Sequence, residues 1–295
     1  MTARRCAYLT MRDPQGFAID AELAFPHMEN LGWAIEQLPW RTANADWDAF
    51  DAVYIGTPWD YPEDPGQFMG LLKTIDRSSA ILINDWSLVA WSTPKTYLRD
   101  LEQKGVAVVP SSWHEHYERG SLGSAFERFG TDRLIIKPVI STNATDTFAV
   151  TKQDLPAIDL RLIETFANRP CVIQPFMENI QSEGEYSLFY FNREFSHAIR
   201  KTPKRGDFRV QEEHGADIVA VEPDAPLRNV ADRLMQLVDP VPVYARADFV
   251  RGSAGEFLLM ELELVEPSMY LRMDAAAPER FAKAFNDYYE QQSGG

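Results

Sequence analysis

Four charged residues near the end of the chain are spaced so that one face of a β-hairpin would carry them all. Two apolar segments flank the turn-forming residues 253–256, a pattern that predicts two antiparallel strands. With the turn centred there, Asp248 lies opposite Glu261, and Arg246 lies opposite Glu263. Because successive strand residues point to opposite faces, these four side chains are expected on the same face.

Three carboxylates on one sheet face repel one another unless a positive charge lies among them. Carboxylate oxygens combined with phosphate oxygens are the ligands that magnesium prefers. The hairpin therefore predicts a magnesium site formed by Asp248, Glu261 and Glu263. In the alternative interpretation, Arg246 neutralises Glu263 and the face is only solvated. The opposite face is expected to join the core through Ala247, Phe249, Met260, Leu262 and Leu264.

Two lysines stand where they could hold an anion. Lys137 ends an apolar strand pattern and precedes a proline, so its ammonium would project from a rigid element. Lys95 follows a Thr-Pro pair, which predicts a helix over residues 95–104. Backbone N–H groups at a helix start add to the attraction of a lysine for phosphate. Each lysine alone would more often be a solvated side chain.

A further candidate segment runs from Gln174 to Glu185. Its first residues close an apolar strand, and Phe176 and Met177 could stack on a purine while the backbone bonds to the edge of the base. A carboxylate a few residues further on could accept the ribose hydroxyls. An acidic loop around a core aromatic residue explains the same pattern equally well.

Residues 200–209, which begin at the end of the first hairpin pattern, include five basic residues in an otherwise acidic chain. Like charges this close repel one another unless anions bind among them. Glu185 should lie near Arg200 or Lys201 across that hairpin, and it could neutralise one of them. It cannot also neutralise Arg209. We therefore expect Arg209 to contact the phosphate being transferred and a substrate carboxylate, with Gln211 assisting.

The elements that must position these residues form two patterns. In the first third, short strands alternate with helices, which predicts a parallel sheet of the α/β class. The rest carries hairpins and flanking helices, which predicts an α+β body. The predicted strands are Arg5–Thr10, Trp33–Leu38, Ala52–Gly56, Ile81–Asn84, Leu134–Lys137, Cys171–Gln174, Glu185–Phe191, Phe195–Lys201, Val243–Val250 and Phe257–Val265, and the predicted helices are Ile19–Leu31, Glu63–Ile75, Lys95–Lys104, Arg228–Val238 and Pro278–Gln291.

Length and composition indicate an ordinary globular protein of 295 residues, enough for two or three subdomains. A net charge of −15 argues against a nucleic-acid surface, which needs clustered Lys and Arg. Cys6 and Cys171 lie in apolar runs and are interpreted as buried thiols of a reducing compartment. Because neither a signal-peptide core nor an apolar run of membrane-spanning length is present, a cytoplasmic protein is expected.

The candidate motifs follow one another in a set order along nearly the whole chain. They are Thr57-Pro-Trp-Asp-Tyr61, Thr-Pro-Lys95, Ile-Ile-Lys137-Pro, Gln174-Pro-Phe-Met, Glu183-Gly-Glu185, Arg200-Lys201, Asp207-Phe-Arg209-Val-Gln211, Asp248 and Glu261-Leu-Glu263. This ordered set resembles the ATP-grasp superfamily. More narrowly, the chain is similar to prokaryotic glutathione synthetases and most similar to the O-ureido-serine cyclo-ligases of cycloserine biosynthesis. No single motif is diagnostic, whereas the ordered set is fairly specific.

The resemblance implies an ATP-grasp fold with ATP and Mg2+ as cofactors. It also implies a Rossmann-like pre-ATP-grasp domain (1–92), a central lid and nucleotide-binding subdomain (93–184) and a catalytic subdomain (185–295). The implied ligands are Lys95 and Lys137 for the ATP phosphates; Gln174, Phe176 and Met177 for adenine; Glu183 for the ribose; Asp248, Glu261 and Glu263 for magnesium; and Arg209, with Arg200 or Lys201, for the phosphate in transfer. One departure is the segment 141–147, which lacks the glycines usual in this family after the second lysine.

The function implied by the resemblance is that of a carbon–nitrogen ligase. It would activate a small amino-acid-like carboxylate as an acyl phosphate for attack by nitrogen, with intramolecular cyclisation as one outcome. An intermolecular ligase similar to glutathione synthetase and a nucleotide-binding regulatory protein without turnover remain alternatives. The expected partners are a small carboxylate and an amine, without nucleic acid or membrane, and homo-oligomerisation stays open. Substrate specificity is expected from the lead-domain residues Asp20, Thr57, Trp59, Asp60 and Tyr61.

Overall fold

The computed structural model describes residues 3–294, apart from the side chain of residue 156. The strands in this range are β1 (Arg4–Thr10), β2 (Trp33–Pro39), β3 (Ala52–Thr57), β4 (Ile81–Ile83), β5 (Ser112–His114), β6 (Arg133–Pro138), β7 (Phe148–Thr151), β8 (Cys171–Pro175), β9 (Glu185–Phe191), β10 (Glu194–Thr202), β11 (Asp217–Ala220), β12 (Tyr244–Arg251) and β13 (Phe257–Glu263). The helices are α1 (Phe25–Asn30), α2 (Pro65–Asp76), α3 (Trp86–Ser92), α4 (Tyr97–Gln103), α5 (Ser121–Phe129), α6 (Leu155–Thr165), α7 (Asn179–Ser182), α8 (Ala225–Leu237) and α9 (Ala277–Ser293).

The first sheet is parallel, with the strand order β2-β1-β3-β4. Its side chains alternate between two buried faces, as in other parallel sheets covered by helices. Tyr8 belongs to the core shared with α1 and α9, whereas Leu9 belongs to the core shared with α2. A Cβ atom at Gly56 would lie 2.1 Å from the Tyr8 ring, so only glycine allows this ring to cross β3.

The central sheet is antiparallel, with the order β5-β8-β6-β7. Buried and half-buried residues alternate along β6. Leu134 and Ile136 pack in the core formed with α5 and α6. The alternation therefore turns Ile135 and Lys137 to the opposite face, which lines a cleft.

The third sheet is antiparallel, with the order β11-β10-β9-β12-β13. One face packs on α4 and α8 through apolar residues such as Leu188, Ala247 and Leu262. The turn residues between β9 and β10, Asn192 and Arg193, both have positive φ, as a two-residue hairpin turn requires. The other face of the sheet carries charged residues and lies across a cleft from the central sheet.

Most predicted elements are present, with ends displaced by a few residues, but one helix prediction was wrong. The helix predicted over 95–104 begins only at Tyr97. Lys95 lies in the turn between α3 and α4, and its backbone N–H is donated to the Val139 carbonyl at 2.9 Å. Lys95 therefore has no helix-start position. The helix predicted over 19–31 is split into a short 3-10 turn and α1.

Two smaller expectations concern the cysteines and membrane spans. Cys6 and Cys171 are buried, free thiols, as predicted. Within residues 3–294, no helix has both the length and the apolar composition that crossing a membrane would require.

Candidate active site

Residues of the central and third sheets line a single cleft between them. Its walls include the free face of β6, the end of β8 and the charged face of β9, β12 and β13. The predicted site residues that line this cleft are Trp59, Lys95, Lys137, Gln174, Phe176, Met177, Lys201, Arg209, Gln211, Asp248, Glu261 and Glu263. The predicted residues that do not line it are Asp20, Thr57, Asp60, Tyr61, Glu183 and Arg200.

The hairpin of β12 and β13 has the predicted register. Asp248 pairs with Glu261, and Arg246 pairs with Glu263. One oxygen of each carboxylate in the trio lies within 4.8 Å of the others. A bulge directly after Asp248 inserts one extra residue, so Met260 turns into the cleft. The prediction of Met260 as a core residue was wrong because a bulge reverses the alternation beyond it.

Arg246 is the cation of this hairpin face. Its guanidinium lies 3.0 Å from Asp248 and 2.7 Å from Glu263. Burial opposes the ionisation of Asp248, but Arg246 and Lys201 outweigh burial and lower its pKa. Burial raises the pKa of Glu263 despite Arg246, and the charge of Glu261 adds to that rise. The predicted Arg246–Glu263 pair is present, yet it lies inside a cleft and not on an open solvated face.

The two lysines differ in their partners. Lys95 is 7% exposed, and its Nζ lies 2.6 Å from Glu261 and donates to the Ser141 carbonyl at 3.0 Å. Burial alone would lower the pKa of Lys95, but Glu261 outweighs burial and raises it. Burial lowers the pKa of Lys137. Among the cations that line the cleft in residues 3–294, Lys137 is the one with neither an ion pair nor a hydrogen bond.

Lys201 and Arg200 point to opposite faces of β10. Lys201 is buried, with its Nζ 2.7 Å from Glu185 on β9 and 3.5 Å from Asp248. Burial would lower the pKa of Lys201, but Asp248 and Glu185 outweigh it and raise the pKa. Arg200 pairs with Tyr186 across the hairpin and lies outside the cleft. Neighbouring strand residues cannot share a face, so the structure separates Arg200 from this site.

The end of β8 contributes the side chains predicted to surround a purine. Gln174 donates to the Ser111 hydroxyl at 2.9 Å. Phe176 is buried, and the guanidinium of Arg133 lies 3.6 Å from the centroid of its ring. Met177 belongs to a small apolar cluster beside them. These residues form an apolar wall with hydrogen-bonding groups at its edge, as flat heteroaromatic ligands require.

Arg209 lines the cleft but already has a carboxylate partner. Asp207 accepts hydrogen bonds from its Nη2 at 2.7 Å and from its Nε at 3.1 Å. The hydrogen bonds from Arg209 hold the pKa of Asp207 well below its usual range. Glu185 pairs with Lys201, one of the two partners expected for it, whereas the pairing of Arg209 with Asp207 was not predicted. Nearby, the amide oxygen of Gln211 is buried without a hydrogen-bond partner among the described residues.

The segment 141–147 lines the cleft although it lacks glycine. Asn143, Ala144 and Asp146 have φ values of 51°, 54° and 52°. This left-handed backbone is usually supplied by glycine, and asparagine and aspartate tolerate it better than other residues. The segment therefore makes sharp turns at the cleft without glycine, and it presents hydroxyl and amide donors there.

The predicted residues outside the cleft have other partners. The lead-domain segment 57–61 turns only Trp59 into the cleft, where its indole N–H is donated to the backbone carbonyl of Glu266 at 2.9 Å. The direct substrate roles predicted for its neighbours are thus unsupported by their placement. The observed partners are Arg251 for Glu183, Arg272 for Asp20, Thr10 for Thr57, Trp40 for Asp60 and Phe68 for Tyr61.

Three cleft residues that follow β13 were not predicted from the sequence. Glu266, Ser268 and Tyr270 line the cleft from the irregular segment after β13. Side chains alternate between two faces only within a strand. Beyond the end of β13, the spacing of these residues therefore could not predict which way their side chains point. Their closeness in sequence to the carboxylate trio was the available signal.

This arrangement suits a ligand with several phosphate groups. The trio offers only oxygen donors, which fits a hard divalent cation such as magnesium. The unpaired Lys137 faces the same space and can neutralise a phosphate. Positioning and charge neutralisation of this kind are what phosphoryl transfer requires from a protein.

The three-sheet architecture is the fold of solved ATP-grasp ligases. The crystal structure of D-cycloserine synthetase DcsG matches with a TM-score of 0.86 and 24% identity, covering 97% of this chain and 99% of that one. D-alanine–D-alanine ligase from Bacillus anthracis matches with a TM-score of 0.69 and 15% identity, over 99% and 100% of the two chains. The ATP-grasp ligase PsnB, complexed with a minimal precursor, matches with a TM-score of 0.66 and 15% identity, over 97% and 99%.

Sequence comparison identifies the family. Residues 6–84 match the family model of the D-cycloserine synthetase DcsG N-terminal domain. The cycloserine biosynthesis protein DcsG of Streptomyces lavendulae is 30% identical over 272 residues, which cover 86% of this chain and 88% of that protein. The chain belongs to the DcsG family of ATP-grasp proteins. Its fold is shared with a D-cycloserine synthetase and with a D-alanine–D-alanine ligase.

Proposed function

We propose that this protein uses ATP and Mg2+ to activate a small, amino-acid-like carboxylate as an acyl phosphate, which a nitrogen atom then attacks. The observation that carries the proposal is the meeting of the unpaired Lys137 and the carboxylate trio in one cleft. Solved relatives support the choice of ligands: PsnB was crystallised with Mg and ADP, and the Bacillus anthracis ligase with ATP.

Each part of the cleft would hold one part of the nucleotide. Lys95 and Lys137 would neutralise the phosphates, and the wall formed by Gln174, Phe176 and Met177 would hold the adenine. Asp248, Glu261 and Glu263 would hold magnesium, which when bound neutralises phosphate charge. The central (93–184) and catalytic (185–295) subdomains would thus grip ATP between their sheets, with the 1–92 domain beside them.

The proposed reaction has two steps. First, a carboxylate oxygen of the substrate attacks the terminal phosphorus of ATP, the bond from this phosphorus to its bridging oxygen breaks, and ADP leaves. Next, a nitrogen atom attacks the acyl carbon and loses a proton, and phosphate leaves with the former carboxylate oxygen. Lys137 and Lys201 would hold the transferring group in place, and Arg209 would join them by giving up part of its contact with Asp207.

Cyclisation within one substrate molecule is the preferred form of the second step. The support is the similarity of nearly the whole chain to DcsG, which is described as a D-cycloserine synthetase. Similarity to D-alanine–D-alanine ligase keeps the intermolecular reaction as the second candidate.

The test is ADP release, measured with Mg-ATP and a panel of amino and ureido acids, followed by mass analysis of the product. We expect one acid to stimulate ADP release. The mass of its cyclic product should be lower than the mass of the acid by the atoms lost in ring closure. A product that combines two substrates would establish the intermolecular ligase. If ATP binds but no acid stimulates ADP release, the regulatory alternative replaces this proposal.

A further inference from the structure

Glu266 is a cleft carboxylate without a cation. It is 7% exposed and lines the cleft just after β13. The other buried or half-buried carboxylates of the cleft have ion pairs: Glu185 with Lys201, Asp248 with Arg246 and Lys201, Glu261 with Lys95, and Glu263 with Arg246. Within residues 3–294, no lysine, arginine or histidine forms an ion pair with Glu266.

Burying a charged carboxylate without a cation costs free energy, because the protein interior solvates the charge less well than water does. Burial raises the pKa of Glu266, and the nearby charge of Glu263 raises it further. The charge of Lys95 opposes that rise, but its Nζ pairs with Glu261 at 2.6 Å and forms no ion pair with Glu266 among the described residues. A positively charged ligand group would therefore give Glu266 the direct ionic partner that it lacks.

Glu266 stands apart from the predicted metal ligands. It is not a member of the group whose carboxylate oxygens all lie within 4.8 Å of one another. Its backbone carbonyl accepts a hydrogen bond from Trp59, and the Thr142 hydroxyl donates to the Trp59 carbonyl at 3.0 Å. Glu266 thus lies where the first-sheet segment meets the cleft.

We infer that Glu266 binds the positively charged amino group of the amino-acid-like substrate proposed above. The inference rests on the proposed function because it assigns the carboxylate of the same molecule to the phosphate side of the cleft. An ammonium group would give Glu266 a charge-assisted hydrogen bond, which is among the stronger polar contacts. Glu266 is then a specificity-determining residue for the proposed ligase reaction.

The test compares two probes that differ only in the amino group. They are the acid that best stimulates ADP release in the panel and its hydroxy counterpart, in which OH replaces NH3+. Wild type should prefer the amino acid. Glu266→Gln should raise the KM for the amino acid by roughly 10- to 100-fold and leave the KM for the hydroxy acid unchanged, because only the amino acid loses a charged contact. Glu266→Asp should retain part of the preference.

Three controls separate the outcomes. Glu256→Gln removes an exposed carboxylate at the hairpin turn and should behave as wild type. Affinity for the ATP analogue AMPPNP and the Mg2+ dependence of ADP release should not change in Glu266→Gln. An equal rise of KM for both acids, a shifted Mg2+ dependence, or a wild type without preference would each overturn the inference alone. Wild type without ADP release for any acid would instead overturn the proposed function.

Discussion

Replacing Lys95 and Lys137 by methionine, one at a time, should separate the stability of the cleft from its affinity for ATP. Methionine keeps most of the side-chain volume and removes the charge. Lys95→Met leaves Glu261 without the ammonium at 2.6 Å and leaves the Ser141 carbonyl without its donor. Lys137→Met breaks no ion pair in the described chain. It removes an ammonium group whose pKa is lowered by burial.

The two substitutions should therefore have different magnitudes. Breaking a buried ion pair costs about 3–5 kcal/mol, and Glu261 is partly exposed, so Lys95→Met should lower the free energy of unfolding by about 3 kcal/mol. In a chain of this length, that loss lowers Tm by roughly 5–10 °C. Lys137→Met should leave Tm unchanged or slightly raised. Its free energy of ATP binding should become less favourable by about 1–3 kcal/mol, the scale of a charge-assisted hydrogen bond.

The assay combines thermal unfolding without nucleotide and calorimetric titration with AMPPNP and Mg2+. Lys73→Met is the matched control, because Lys73 is exposed on α2 and should affect neither quantity. The reasoning is refuted if Lys137→Met destabilises the fold as much as Lys95→Met does. It is also refuted if AMPPNP binds Lys137→Met with wild-type affinity, since Lys137 would then face the cleft without a phosphate to hold.

Three further predictions concern the proposed magnesium ligands, Arg209 and Gly56 of the first sheet. Glu261→Gln and Glu263→Gln should each abolish Mg2+-dependent ADP release without loss of circular dichroism, and wild-type turnover in both would rule out the metal assignment. Arg209→Ala should slow single-turnover phosphate release roughly 100-fold while AMPPNP affinity changes little. If the rate of phosphate release and the affinity for AMPPNP fall by equal factors, Arg209 only binds ATP and does not assist the transfer. Gly56→Ala should lower the free energy of unfolding by at least about 2 kcal/mol, seen in urea titration, because its Cβ would overlap the Tyr8 ring; an unchanged midpoint would contradict that packing.

The predictable part of the site was local in sequence. Alternation and a short turn were enough to pair Asp248 with Glu261 and to bring both to one face, because hairpin register depends on the turn and the pleat. Lys137 was predictable for a similar reason, since it ends a strand whose alternate residues are apolar. Rules of this kind need only neighbours along the chain.

The remaining features depend on tertiary structure. A bulge moved Met260 from the predicted core into the cleft, and nothing in a single sequence marks a bulge without glycine. Lys95 does not begin a helix as predicted, because its backbone N–H donates a hydrogen bond to the Val139 carbonyl just after β6. Asp20 and Tyr61 were expected near a substrate, but the fold uses them for an ion pair with Arg272 and for aromatic stacking.

The acyl phosphate is the central claim of the proposed function, and oxygen transfer tests it most directly. The substrate acid identified by ADP release would be labelled with 18O in its carboxylate and turned over with unlabelled Mg-ATP. Attack of a carboxylate oxygen on phosphorus predicts one 18O atom in each phosphate released, as measured by mass spectrometry. Phosphate without 18O, released at the same rate as the product forms, would contradict activation of the carboxylate by phosphoryl transfer.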